Sequence, residues 1–541
     1  MKVRSILCAL AVAWLPMAYG QYGGELRFCL QGEPKTFNPL LVEDDPSEVI
    51  RYLTGGVLIR VNRSSQELEP ELATSWKLDR DGRRITFQLR SGLTFSDGTP
   101  FTASDVAETM RAAMDPKLHS PVGDAFRSGP GAPEIAVSGP GNVSITFPSA
   151  VAGMELLFDQ VAIVSSKSPK KEAAVLGPFY VADYKPGSEV LLKKNPHYWK
   201  RDVQGRSLPY LDSVRLYIQQ NRTMEMMRFT RGELDLINNL APDNFERLAH
   251  ETPSAVNDIG PSLESELLWF NQAPAAPLPD HKRAWFGSAR FRRAILQAIN
   301  RDDLSRVVFH GHASPAVGPV SPANRRWYDT SLKPVPFDHA GALASLAQDG
   351  FQSKAGVLRD RQGNPVEFSL VTNAGNLSRE RMAAMIQQDL SAIGIRLNVV
   401  TLDFASLIER LTKSFDYEAC LLGTTNVDLD PNLQMNVWLS SASNHQWNPN
   451  QKSPATAWEA EIDRLMQLQA SESNPSRRKR YFDQVQEIVW EQAPFLYLVN
   501  KDSLIAVSPS LHNVKPALLR PYAYWNVESL SLATQMASKR P

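Results

Sequence analysis

Between Ser378 and Val400 a helical stripe runs into a strand across one glycine. Met382, Met385, Ile386, Leu390 and Ile393 recur at i, i+3 and i+4 spacing, which gathers them on one helix face. Gly394 supplies the stop, and residues 395–400 (IRLNVV) read as the strand that follows. A helix that buries one stripe and passes directly to a strand is the building unit of layered α/β folds. The rest of the chain agrees. Strands are expected at 25–30, 84–89, 143–147, 189–193, 213–218 and 495–499, and helices at 104–113, 292–299 and 478–490. Asp79-Arg-Asp-Gly82 is a hairpin turn signal ahead of the second of these strands.

With 541 residues the chain is long enough for three to four domains at ~150 residues each. No repeat of fixed period is visible, which argues against a solenoid or propeller. Lys+Arg and Asp+Glu balance at 58 each, so no bulk attraction to nucleic acid is expected. Pro-rich breaks interrupt the pattern, and residues 272–280 (QAPAAPLPD) are read as a surface crossing between domains.

Residues 1–20 read as an export signal. Lys2 and Arg4 precede an apolar run over 6–15, Pro16 ends it, and Ala18 and Gly20 stand at −3 and −1 of a cut before Gln21. The run is shorter than the ~20 residues needed to span a bilayer, and no other run approaches that length. The reading is an exported, periplasmic protein with no membrane span once the signal is removed. Cys29 and Cys420 then remain, either paired or as buried thiols.

Enzyme signatures are absent: there is no G-x-S-x-G, H-E-x-x-H, Gly-rich phosphate loop or C-x-x-C. His310-Gly-His312 is the one close histidine pair, with no Cys or third His beside it, so no metal, cofactor or catalytic residue is assigned.

Several strings, taken in order, carry a family resemblance. They are Leu72-Ala-Thr-Ser-Trp-Lys-Leu, Gly92-Leu-Thr-Phe-Ser-Asp-Gly-Thr-Pro100, Thr102-Ala-Ser-Asp-Val106, Gly177-Pro-Phe-Tyr180, Asn195-Pro-His-Tyr-Trp199, Leu208-Pro-Tyr-Leu-Asp212, Gly232-Glu-Leu-Asp235 and Arg292-Arg-Ala-Ile-Leu-Gln-Ala-Ile-Asn-Arg301. The set resembles the bacterial extracellular solute-binding proteins of family 5, the peptide- and nickel-binding receptors of ABC importers. Read by themselves, Trp76, Phe87 and Phe95 are core aromatics, and Asp105 early in a helix complements the helix dipole.

The resemblance implies an α/β two-lobe periplasmic binding protein, type II and cluster C-like, with hinge strands and an extra domain on the first lobe. Lobe I would comprise 21–55, 176–270 and 490–541, the extra domain 56–175, and lobe II 271–489. The implied function is non-covalent capture of a small solute, an oligopeptide or dipeptide first. A nickel chelate, sugar or opine-like compound is the rival, and a hydrolase or sensor reusing the scaffold a more distant one. The implied partners are permease subunits with cytoplasmic ATPases, the receptor itself being a monomer.

The resemblance also places a site. Extended peptide backbone would pair with strand ends facing the cleft. One is the stretch after the first strand, with Glu33 and Lys35 as candidates. The other ends in Leu422, Gly423, Thr424, Thr425 and Asn426, ahead of Asp428 and Asp430-Pro431. Leu422 stands where the family often carries Trp. Asp428 is the candidate to pair a peptide amine, with Val427 in the usual Asp place, and Trp438 and Trp447 are candidates to stack on solute.

Overall fold

The computed structural model describes residues 22–533, apart from 119, 125, 127–130, 170–172 and 425–428. The proposed signal at 1–20 lies outside them. The chain opens with strand β1 (Glu25–Leu30) and helix α1 (Asp45–Thr54). It then lays down an antiparallel sheet from β2 (Ala73–Leu78), β3 (Arg84–Leu89), β4 (Glu134–Val137) and β5 (Asn142–Thr146), covered by α2 (Ala103–Met114). Strands β6 (Phe179–Lys185), β7 (Glu189–Lys194) and β8 (Ser213–Ile218) follow. Next come β9 (Leu236–Ile237), helix α3 (Pro242–Glu251) and the fifteen-residue strand β10 (Val256–Phe270). Helix α4 (Ala289–Gln297), β11 (Ala313–Pro315), β12 (Glu367–Asn373), α5 (Leu377–Ala392), β13 (Arg396–Leu402) and β14 (Ala419–Thr424) build the next body. Helices α6 (Ala457–Ser471) and α7 (Pro475–Gln492) and the thirteen-residue strand β15 (Phe495–Val507) complete it.

Three sheets organise these elements. The first runs β1-β8-β7-β6, with β1 and β8 parallel. The second, β2-β3-β5-β4, encloses its own core around Phe87, Phe95, Ile145 and Phe158. The third runs β9-β15-β10-β14-β12-β13, with β11 added on β15. Within it, β12 pairs parallel with β13, the arrangement that the helix–glycine–strand unit over 378–400 demands. Gly394 holds φ +80, where a Cβ would meet the Gly356 carbonyl at 2.8 Å, a backbone conformation that favours glycine.

The long strands β10 and β15 carry the chain between bodies. At one end β15 pairs with β9 and packs against the core of the first sheet through Ile505 and Val507. At the other, Leu268, Leu496 and Leu498 enter the core beneath α4 and α5. Lobe I is therefore the first sheet with α1, α3 and the C-terminal turns. Lobe II is the body beyond the crossing, and the second sheet is an additional unit. The crossing is thus made by paired strands and not by residues 272–280. Ala273, Ala276 and Leu278 from that stretch are buried in the lobe II core, where its Pro residues close a loop. Cys29 and Cys420 are free buried thiols packed in different cores. No helix among the described residues is long and apolar enough to cross a membrane.

Candidate functional site

Among the described residues, two groups of contacts join these bodies. On one side the additional unit touches lobe II. The Asn432 amide donates to the Ala152 carbonyl at 2.6 Å, and the Ala152 N–H donates to Ala470 O at 3.0 Å. Leu156, Leu263, Ala323, Leu429 and Leu519 form a small apolar cluster bridging the same parts. On the other side α3 of lobe I faces a turn of lobe II. Asp243 accepts from Arg381 at 2.9 Å and contacts His310 Nε2 at 2.7 Å, while Glu246 lies 2.8 Å from His312 Nε2. These contacts hold the two lobes together.

Between them lies a cavity of about 340 Å3. Its wall combines Glu43, Asp44, Asp45, Glu48 and Arg51 of lobe I, Arg63 and Asp159 of the additional unit, Leu429 and Leu433 of lobe II, and Arg520. The N-terminus of α1 shapes this wall. Asp44 caps it by accepting from the Ser47 N–H at 3.0 Å, and Pro46 follows in the first turn, a combination that starts a helix. Asp45 and Glu48 in that turn suit the positive helix end. Arg51 lies against Glu48 at 2.6 Å, Arg63 against Asp159 at 2.7 Å, and Arg520 against Asp45 at 3.2 Å. The lining is therefore polar and of mixed charge, with an acidic edge at residues 43–48.

A chain of charges runs beside this cavity: Arg520 lines it, while Glu264, Glu266 and Lys501 line a separate cavity of about 140 Å3. Arg520 pairs with Glu264, Lys501 lies 2.8 Å from Glu264 and 3.4 Å from Glu266, and Arg379 grips Glu266 at 2.8 and 3.2 Å. Glu264 and Glu266 stand on β10, Lys501 on β15, Arg379 on α5, and Arg520 in the C-terminal turns. Alternation along β10 turns both glutamates to one face. Burial alone would raise the Glu264 pKa, but Lys501 and Arg520 outweigh it and hold it down at about 2. Its acids in turn raise the Lys501 ammonium above its usual range against the burial cost. Sequence reading missed this chain because its members lie far apart in sequence; the clue was Glu264 and Glu266 alternating inside an otherwise apolar run.

The sequence-predicted residues scatter around this centre. Gly423 pairs with Glu266 across the β14–β10 ladder, and its α-carbon faces the Arg379–Glu266 pair with no room for a side chain. Thr424 pairs with Ser265, while Leu422 packs toward the lobe II core. Thr425, Asn426 and Asp428 lie outside the described residues. Glu33 is exposed and turned to the lobe I hairpin, accepting from the Tyr184 hydroxyl and from the Gly187 N–H at 3.1 Å. Lys35 is exposed and absent from the cavity wall.

Both tryptophans are core residues in this conformation. Trp438 is 2% exposed and donates to Gln434 at 3.0 Å. Trp447 is fully buried and donates to Glu459 at 3.0 Å, where His445, Gln451 and Thr456 converge as well. A solute-stacking role would require an open ring face, and theirs are covered. Asp430 is likewise engaged, gripped by Arg478 at 2.6 Å.

A family model of bacterial extracellular solute-binding proteins, family 5 (middle region), matches residues 67–446. The "Probable ABC transporter-binding protein" of Deinococcus radiodurans is 26% identical over 525 residues, covering 88% of this chain and 87% of that protein. Two solved structures share the fold. The oligopeptide-binding protein AppA from Bacillus subtilis, in complex with a nonapeptide, is 22% identical with a TM-score of 0.74, over 95% of this chain and 100% of that one. NikA from Brucella suis, in complex with Fe(III)-EDTA, is 20% identical with a TM-score of 0.79, over 94% and 100%. The architecture is accordingly that of the two-lobe periplasmic binding proteins. The ordered motifs, the crossing strands and the interlobe cavity thus converge: the chain belongs to the bacterial extracellular solute-binding proteins of family 5 and is a binding protein rather than an enzyme.

Proposed function

We propose that this protein is the solute-binding component of an ABC importer and captures a di- or short oligopeptide between its lobes by closure about β10 and β15. The observation that carries this reading is the mixed-charge cavity whose wall is drawn from both lobes and the additional unit. A solute there touches all of these parts only when they are together, so its binding energy favours the closed form. At about 340 Å3 the cavity sits near the small end of ligand pockets, roughly 300–1,000 Å3. The acidic edge at Glu43–Asp45 and the guanidinium of Arg520 offer opposite partners for the two ends of a zwitterion. The relatives agree in part, since AppA was solved with a nonapeptide and NikA with a metal chelate. Export to the periplasm, a permease pair and its ATPases complete the reading. The candidates Glu33, Lys35, 422–426 and Asp428 belong to it as the proposed backbone- and amine-pairing segments.

Native mass spectrometry of the protein as purified tests the reading, followed by calorimetry with free and N-acetylated dipeptides. A retained peptide, or micromolar binding of the free-amine form, supports it. A retained metal chelate, sugar or opine-like compound, with no peptide binding, overturns the peptide assignment. In the same assay Asp428→Ala is expected to weaken free-amine peptides tenfold or more, as loss of a charge-assisted contact worth ~1.5–3 kcal/mol would; unchanged affinity removes Asp428 from the site.

A further inference from the structure

Outside the cavity, one group of ligating side chains gathers on the crossing strands. Nδ1 of His312 lies 2.6 Å from Asp258 Oδ2. Together with a carboxylate oxygen of Asp502 these atoms fall within 4.8 Å of one another. His312 Nε2 meets Glu246 at 2.8 Å, and the Phe245 ring stands edge-on to the imidazole, with ring centroids 4.5 Å apart. The Asp502 N–H donates to the His312 carbonyl at 3.1 Å, which fixes that turn against β15. A cavity of about 140 Å3, lined by His312 and Asp502, opens beside the group.

We infer that Asp258, His312 and Asp502 form a divalent-cation site of the zinc or nickel class, with Glu246 orienting the imidazole from behind.

The donor chemistry fits. One imidazole nitrogen and two carboxylates are a set such ions accept, with solvent in the remaining position. A ligating histidine commonly donates its other ring N–H to a carboxylate, which fixes the tautomer. Glu246 is placed to accept from Nε2–H, leaving the Nδ1 lone pair aimed at Asp258. Two acceptors cannot sit 2.6 Å apart without a proton or a cation between them. The charge balance points the same way. Three carboxylates surround one imidazole, and among the described residues no donor reaches the Asp502 side chain. Metal bonds of ~2.0–2.2 Å put neighbouring ligand atoms about 3 Å apart, within reach of small side-chain rotations here. His310 is not part of the group: it faces Asp243, which Arg381 already pairs. The histidine pair in the sequence thus divides, and the further ligands come from strands that sequence spacing could not connect to it.

Such an ion would tie the lobe II turn to both crossing strands and, through Glu246, to α3. The test is a zinc titration of the full chain after chelator treatment, read by calorimetry, native mass spectrometry and thermal melting. The expected result is one saturable Zn2+ per chain, with a rise in melting temperature. His312→Gln and Asp502→Asn should each weaken binding about tenfold or more and abolish the rise, whereas His310→Gln should leave both unchanged. The absence of saturable binding by the native chain would overturn the site. So would undiminished binding by both His312→Gln and Asp502→Asn, or equal loss in His310→Gln.

Discussion

Arg379 reaches from α5 across the sheet to Glu266 on β10, with Nε 2.8 Å from Oε2, and the pair covers the face of Gly423. A Cβ at Gly423 would lie 2.8 Å from Glu266 Oε1, closer than ordinary packing allows. Gly423→Val should therefore separate the pair or bend β14, costing about 1–3 kcal/mol as overpacking does. The check is the denaturant midpoint alongside solute affinity. A variant with native stability and native affinity would show that the ground above Gly423 yields freely.

Acid should act on the charged chain of the crossing strands through Glu264. Its pKa in the folded state is about 2, against an ordinary 4.5. A group with a depressed folded pKa contributes stability above its unfolded value and loses it as pH falls toward the folded one. The contribution, of order 3 kcal/mol, should be present above about pH 4.5 and disappear between there and pH 2. Glu264→Gln should flatten the stability profile in that window. A profile of unchanged slope would remove Glu264 as its source.

Asp430 and Arg478 form a buried pair in lobe II, each 3% exposed or less. Asp430→Asn removes one charge and leaves a guanidinium in the interior, a change that typically costs about 3–5 kcal/mol. The measurement is global unfolding by circular dichroism. A loss below about 1 kcal/mol would mean that Gln469, which also accepts from Arg478, suffices alone.

Trp447→Phe should lower stability by about 1–3 kcal/mol, because the Glu459 carboxylate loses one of its donors, while solute affinity stays within experimental error. A large loss of affinity at native stability would put the indole back in the binding surface.

On the α3 side, Asp243→Asn strips the charge that meets Arg381 and His310 across the lobes. These groups are partly exposed, so the loss should not exceed about 1 kcal/mol, or roughly fivefold in solute affinity. Small-angle scattering of the solute-free protein should show a more open average shape. An identical curve would show that this contact does not bias the lobes.

Much of the architecture was legible in the sequence where one face of an element is buried. The strands at 25–30, 84–89 and 213–218 fall where alternation placed them, and the stripe from Met382 to Leu390 marks α5 to within a residue or two. The crossing strands were not legible to their full length. The apolar run over Phe495–Val499 stops at Asn500-Lys501-Asp502-Ser503, yet β15 continues to Val507, since those polar groups find Ser265, Glu264 and Glu266 on the neighbouring strand. In β10, Asn257, Asp258, Gly260 and Pro261 break the strand signal, and only the partner strand restores it. The site suffered for the same reason. Gly423 could be found as a strand end in a family motif, but Glu264, Arg379, Lys501 and Arg520 meet only after the chain has crossed twice. The tryptophans were misleading because an indole serves a core as readily as a cleft; here Glu459 holds Trp447 and Gln434 holds Trp438 in the core.

The ladder joining β10 to β15 slips register three times between Asp258 and Leu267, and is regular on either side. Such a ribbon has the build of a torsion bar clamped at both ends. The slipped stretch is where paired residues are fewest, and the ladder on either side of it is regular. Because two strands make the crossing side by side, the bodies at either end are joined by a doubled covalent path, and the interrupted stretch between them is where that link has the least ladder to stiffen it.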